Sequence, residues 1–420
     1  MKMDRTIAPE LKKIDSIDFV EPKVYPVNNK VNLYWMKEVP NETVRVELYF
    51  DGGTINGEKG ISSFVNGLLL SGNSVTNSIK INHQIDLLGG FFESGITTEG
   101  SAMSVYALIE NMPELLTFLK KCITEMDCQE KEVTEMVQDK KQKFQVNLQK
   151  TRFLAQREFQ KRIFASDTKY SKIVTPDYYE NVNRKKLQNF FAENYLNGLT
   201  KIAVVGNFEE KQIEDIIQLF QPWACTKDLQ YISDIQNEAG NFHIEKGGAM
   251  QSAVRVGRIL FNKKHEDYHD FMILNTILGD YFGSRLMTNI REEKGYTYGI
   301  GSMVAEYNNF GYFMIGTEVG KEVKDNTLVE IKKEFEILQK ELVQEEELGL
   351  VQNYLLGQLL KSADGAYSMM DLYLSAQVHD KDLNFYNEAI KHIQEITPKR
   401  IQELAQKYLN WEDMTIVSAG

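Results

Sequence analysis

Cysteine is scarce: Cys122, Cys128 and Cys225 are the only three among 420 residues. They form no C-x-x-C pair, and an odd count suits a reducing compartment better than a disulfide framework. Long apolar runs are missing as well; none approaches the roughly 18 residues of a membrane-spanning helix. Residues 1–22 have no apolar h-region and carry Asp4, Glu10, Asp15, Asp18 and Glu21, which argues against a signal peptide and a mitochondrial presequence. Positive charge is in deficit: 48 Lys and Arg against 60 Asp and Glu leave a net charge of −12. Neither nucleic acid nor an anionic membrane is therefore expected as the main partner. No phosphate loop of the form G-x-x-x-x-G-K-S/T occurs. These absences together predict a soluble cytoplasmic protein.

What remains is ordinary globular material, 42% hydrophobic and 26% charged, with room for two or three domains. VNLYWMKEV and TVRVELYFDGG flank Pro40-Asn41-Glu42 and predict a hairpin over residues 30–51, with Val44, Val46, Leu48 and Phe50 on one face. Helical patterns follow at 60–70 and 78–90, strands at 91–98 and 101–109, and a helix at 112–126. Residues 130–164, rich in Lys, Gln and Glu and free of Pro and Gly, predict one long helix. Helices at 184–195 and 209–220 flank the strand KIAVVGNF. The polar stretch 228–239 reads as a linker.

The chain then repeats itself. KLQNFFAENYLNGLTKIAVVG (186–206) aligns with RIQELAQKYLNWEDMTIVSAG (400–420), and the shared Tyr-Leu-Asn triplets start at Tyr195 and Tyr408, half a chain apart. Helix-then-strand ends both halves. The expectation is an α+β protein of two homologous domains, residues 1–227 and 241–420 joined by a linker at 228–240. Each would be an antiparallel sheet with helices packed on one face.

Residues 277–312 carry the densest pattern. In ILGDYFGSRLMTNIREEKG, Leu278, Leu286 and Ile290 fall at helical spacing, and Lys294-Gly295 supplies a cation and an αL-tolerant cap. Beyond it, Tyr298, Ile300, Ser302 and Val304 share one face of a predicted strand. Arg291 at a helix end and Tyr298 at a strand start can aim two strong donors at one carbonyl or carboxylate oxygen. Spacing alone is served as well by a surface arginine and a half-buried tyrosine. His265-Glu266-Asp267-Tyr268-His269 is a literal H-E-x-x-H, the zincin spacing that puts His265 and His269 on one helix face. Its charged Asp267, its place at the polar opening of a helix and the lack of a strong third ligand weigh against it. His83 and His379 have no partner in sequence.

With both halves in view, the chain resembles the pitrilysin/insulinase-type zinc peptidases, the inverted-zincin family that includes mitochondrial processing peptidase. GTINGEKGISSFVNGLLLSGN followed by INHQIDLLGGFFESG is similar to the family's active-site helix, second helix and substrate-pairing strand. LTKIAVVGNFEEKQIEDII is similar to the end of its first domain. ILGDYFGSRLMTNIREEKGYTYGI matches the second-domain signature, and Arg291 and Tyr298 fall on its arginine–tyrosine pair. The resemblance implies the two-domain processing-peptidase-like metallohydrolase fold.

An active member carries H-x-x-E-H on the first helix, two imidazoles on one face and a carboxylate that activates water. In this register Ser63, Asn66 and Gly67 stand at those positions. The third ligand, normally a glutamate, falls near Val137 or Gln138, with Glu135 close by. Such a set offers zinc no imidazole or anionic donor. The resemblance thus implies a chain with no cofactor of its own, catalytically inactive alone. In heterodimeric members one subunit carries the zinc and the other contributes the arginine–tyrosine pair. The implied partner is a homologous subunit bearing H-x-x-E-H and zinc, and the implied substrate a peptide or unfolded segment. The strand at 91–98 departs from the family's Asn-Ala-x-Thr pattern at Glu93, Ser94 and Ile96. ILGDYFGSRL also leaves no room for the glycine-rich loop of the organellar α subunit, so a bacterial-type pair fits better. Two alternatives stand beside this one: a structural scaffold of the same fold, and a self-sufficient zincin using His265 and His269.

Overall fold

The structure, a computed structural model, describes residues 13–37, 39–165 and 168–420; Asp4 and Glu10 lie outside the described residues. Alternation builds the first sheet. On β3 (Thr43–Phe50), Val44, Val46, Leu48 and Phe50 are each at most 2% exposed, as their period of two requires. Before it run β1 (Lys23–Pro26) and β2 (Asn32–Met36). After it come helices α1 (Ile61–Leu68) and α2 (Ser78–Leu87), strands β4 (Phe91–Ile96) and β5 (Ser101–Leu108), and helix α3 (Met112–Thr124). Helices α4 (Glu130–Asn147) and α5 (Thr151–Ile163) follow, and β6 (Leu199–Val205) completes a sheet in the order β1-β2-β6-β3-β5-β4.

The second half repeats this order. Strands β7 (Gly240–Ile244), β8 (Gln251–Leu260), β9 (Thr297–Glu306), β10 (Gly311–Gly320) and β11 (Thr415–Ala419) form a sheet ordered β7-β11-β8-β10-β9. Strand for strand, β2, β6, β3, β5 and β4 correspond to β7, β11, β8, β10 and β9. The two halves are therefore α+β units of one topology. Between Trp223 and Gly240 no helix or strand element intervenes.

Four expectations need correction. Strands β2 and β3 do not form a hairpin: β6 lies between them, parallel to β2 and antiparallel to β3. The sheets are accordingly mixed, with a parallel pair β7–β11 at the matching place in the second half. The long helix at 130–164 is two, broken at Leu148–Lys150, where Lys150 takes extended backbone (φ −96°, ψ 123°). Packing accounts for this break, since α4 sets Val133 in the first core with Val137 against it, while α5 turns Ala155, Phe159 and Ile163 toward the second sheet.

The fourth correction concerns the sheet faces. Besides the helices on its own side, each sheet receives a helix from the other half. Helix α5 lays Phe159 and Ile163 against Ala253, Val417 and Ala419. A side chain at Gly257 would meet the Phe159 ring at 2.9 Å, so this glycine makes the close approach possible. In return the helix Gly365–Gln377 sets Met370 and Leu374 against Tyr34, Met36, Ala203 and Val205 of the first sheet. No helix among the described residues is long and apolar enough to cross a membrane. All three cysteines are buried and unpaired.

Candidate functional site

On α1, Ser63 and Gly67 lie one turn apart and face α4. Lys140 donates from Nζ to Ser63 Oγ at 2.7 Å, and its ammonium stands 5.3 Å from the Phe64 ring centroid. Burial, reinforced by Lys143, holds the Lys140 amine below the ordinary lysine range. A Cβ on Gly67 would come 3.1 Å from Met136 Cε, so the Met136 thioether occupies the place a larger side chain would take. Asn66 accepts from Ser94 Oγ at 3.3 Å through Oδ1, while its Nδ2 is buried without a hydrogen bond.

The helix across from α1 thus presents Met136 and Lys140. Of the positions expected there, Val137 packs toward the first core, Gln138 is exposed, and exposed Glu135 pairs with Lys131 at 3.9 Å. This set does not fit zinc. It offers a hydroxyl, an amide, no side chain at all, a thioether and an ammonium that repels a dication. Among the described residues no group of three or more His, Cys, Asp and Glu is placed to hold a metal.

The second half keeps its polar pair but builds it differently from the predicted single helix. The helix that leads into this segment, Tyr268–Leu278, stops at Gly279. A Cβ there would lie 2.6 Å from Ser302 Oγ, and Ser302 N donates to Gly279 O at 3.1 Å. The chain resumes as a π-helix, Met287–Glu293, ending at Gly295 in the predicted left-handed cap (φ 65°). Leu278, Leu286 and Ile290 are fully buried, as expected. Arg285 makes two 2.8 Å bonds to Glu347, and Asn289 donates to Glu334 at 2.6 Å and Glu330 at 3.0 Å. These clamps fix the wide turn that carries Arg291. Its guanidinium lies 4.6 Å from the Phe282 ring centroid and reaches Glu292 Oε1 at 3.5 Å.

Tyr298 does not share the buried face of Ile300 and Ser302. The ladder pairs Thr297 with Val319 and Ile300 with Thr317, so β9 carries one residue more than β10. This bulge turns Tyr298 outward, 96% exposed and without a hydrogen bond to any described residue. Threonine hydroxyls hold it: Thr297 Oγ1 lies 2.7 Å from Glu318 O, and Thr317 Oγ1 donates to Gly299 O at 2.9 Å. Arg291 and Tyr298 are not bonded to one another. Both stand on the rim formed by the π-helix and edge strand β9. Thr297, Thr317, Arg285 and Phe282 were not singled out from sequence; the Thr-x-Gly following Gly295 is the one signal that could have marked the bulge.

The H-E-x-x-H segment does not form a zincin face. The helix begins at Tyr268, so His265 precedes it in a turn, stacked on Phe261 at 4.1 Å with Nδ1 accepting from Asp267 N. His269 packs instead on Phe385 at 4.3 Å, and burial, with His392 adding to it, lowers its pKa to about 4. Asp267 is committed to Arg400, Lys407 and Tyr408. His83 is exposed, and buried His379 is likewise lowered to about 4 by desolvation.

The structure thus sets two repeated α+β halves side by side, with Ser63 and Gly67 covered by Lys140 and Met136 in the first and Arg291 and Tyr298 on an outward rim in the second. Two family models match in succession: insulinase (peptidase family M16) over residues 35–188, and the peptidase M16 inactive domain over residues 181–355. The chain belongs to the insulinase family of peptidases. It is 22% identical over 242 residues to an uncharacterised zinc protease of Bacillus subtilis, covering 57% of this chain and 58% of that protein. A second uncharacterised zinc protease, from Rickettsia bellii, is 22% identical over 292 residues, 69% of this chain and 71% of its own. The peptidase M16 inactive domain from Pseudomonas fluorescens superposes with a TM-score of 0.86 at 21% identity, over 96% of this chain and 98% of that one. A Helicobacter pylori protease gives 0.82 at 15% identity, over 95% and 100%. At such identities these two structures speak to fold alone.

Proposed function

We propose that this chain is the non-catalytic, substrate-binding subunit of a heterodimeric zinc metalloendopeptidase. The observation that carries the reading is the contrast between its two sites. The face that would hold zinc is closed by Lys140 and Met136, whereas Arg291 and Tyr298 stand on an exposed rim. An exposed phenol with no partner among the described residues and a guanidinium resting on an aromatic ring are donors held ready for an acceptor. In this reading a homologous subunit bearing H-x-x-E-H supplies the zinc and the water-activating carboxylate. Arg291 holds a carbonyl of a peptide or unfolded segment, and Tyr298 donates to it or to the oxyanion. Three buried free thiols agree with a cytoplasmic setting.

Losing one such donor in other enzymes costs about 10²–10³-fold in rate. Arg291→Ala is therefore expected to lower kcat/KM of the reconstituted pair by about 10²-fold. Unchanged activity would sink the proposal. The scaffold alternative draws on one observation: Val75, Ile79 and Leu87 project apolar side chains from α2 and its approach, each at least 66% exposed. It requires that no assembly containing this chain show peptidase activity.

A further inference from the structure

From the charge lining the space between the halves, we infer that the substrate class is acidic, extended peptide; the inference rests on the substrate-binding reading above and deepens it. A cavity of about 640 Å³ lies between the start of α5 and the stretches 301–303 of β9 and 314–318 of β10. A second, of about 870 Å³, adjoins it and shares Lys150, Arg152 and Glu318. The first runs along β9, the strand that begins at the Tyr298 bulge, through Gly301, Ser302 and Met303, and both reach Glu318, the β10 residue opposite that bulge.

Four cations line this space: Lys150, Arg152, Lys246 and Arg255. Glu318 is the only carboxylate lining either cavity among the described residues. It is already shared, 3.0 Å from Arg255 and 3.8 Å from Arg152. Among the described residues, the ammonium of Lys150 donates only to the Asn147 amide oxygen at 2.8 Å, and that of Lys246 only to the Gln149 amide oxygen at 2.6 Å. Neutral acceptors leave both charges uncompensated. The whole chain carries −12, so this groove has the sign opposite to the molecule around it. A cleft of one sign between low-dielectric walls focuses its field on whatever enters and raises the local concentration of the opposite charge. Phe153, Met303 and Met314 supply the apolar part of the wall. Asp and Glu side chains of an extended peptide fit the cations, and its apolar residues fit that wall.

Fluorescence anisotropy on the whole chain tests this, with two labelled unstructured peptides of equal length, one with regularly spaced Glu and one with Lys in its place. At low ionic strength the Glu peptide should bind at least about tenfold more tightly, and the preference should shrink as the Debye length falls below about 8 Å. In the Lys150→Glu/Arg152→Glu variant, whose two positions are exposed, the preference should reverse with the circular-dichroism melt unchanged. Equal binding of the two peptides, no binding of either, or an unaltered preference in the variant overturns the inference. Arg291→Ala separates the two readings: it should weaken both peptides alike and leave the Glu preference in place. If the preference is present but Arg291→Ala changes neither affinity nor the pair's activity, the acidic-peptide groove stands and the arginine–tyrosine role falls.

Discussion

Two imidazoles and a carboxylate can be returned to α1 by Ser63→His, Asn66→Glu and Gly67→His, yet the residues facing them still oppose a metal. Lys140 lies close enough to bond Ser63, and two unit charges about 4 Å apart at an effective dielectric near 20 interact by about 4 kcal/mol. A dication against an ammonium incurs that penalty more than once. Met136 also fills the space a histidine at Gly67 needs. The wild-type chain is expected to retain almost no zinc after dialysis against a mild chelator, and the triple variant well under one equivalent. Adding Lys140→Glu and Met136→Ala removes the repulsion, frees the space beside Gly67 and supplies the missing anionic ligand, so the five-site variant should bind near stoichiometrically. Elemental analysis decides, and one full equivalent on the triple variant would show that Lys140 is no barrier.

Helix α5 does at the scale of an element what Lys140 does at the scale of a residue: it closes a face that would otherwise stand open. Phe159 is 1% exposed in the seam with the second sheet, and Phe→Ala in a core costs about 3–5 kcal/mol. For a chain of this length unfolding as one unit, that corresponds to a fall in Tm of about 1 °C per kcal/mol. Phe159→Ala should thus lower Tm by about 3–5 °C in calorimetry; a loss under 1 °C would mean the seam repacks. None of this exchange is readable from sequence. Period-two and period-3.6 patterns report which face of an element is apolar, and they place β3, α3 and the buried stripe of Leu278, Leu286 and Ile290 well. They cannot report what covers the face. That is why residues 130–164 read as one helix and why β6 goes unseen between β2 and β3. At the site, the spacing of Arg291 and Tyr298 is visible, but the bulge that exposes Tyr298 and the lysine that closes the zinc face depend on cross-strand register and on a helix far along the chain.

Because each half covers a sheet of the other, heat and acid should act on the molecule as a unit. His269 and His379 are both held neutral by burial, with pKa about 4 against an ordinary value near 6.5. Below pH 6.5 the unfolded chain takes up protons that the folded chain refuses, so stability falls as pH drops from about 6.5 to about 4 and changes no further below that on their account. Each histidine costs about 2 kcal/mol by pH 5. Both lie in the second half, yet His379 is two residues beyond the helix Gly365–Gln377 that packs on the first sheet. Calorimetry at pH 7 should show one transition with matching calorimetric and van't Hoff enthalpies. At pH 5 that single transition should move down by several degrees, and His379→Gln should recover part of the shift. Two transitions, of which only one moves with pH, would show that the exchanged helices do not couple the halves.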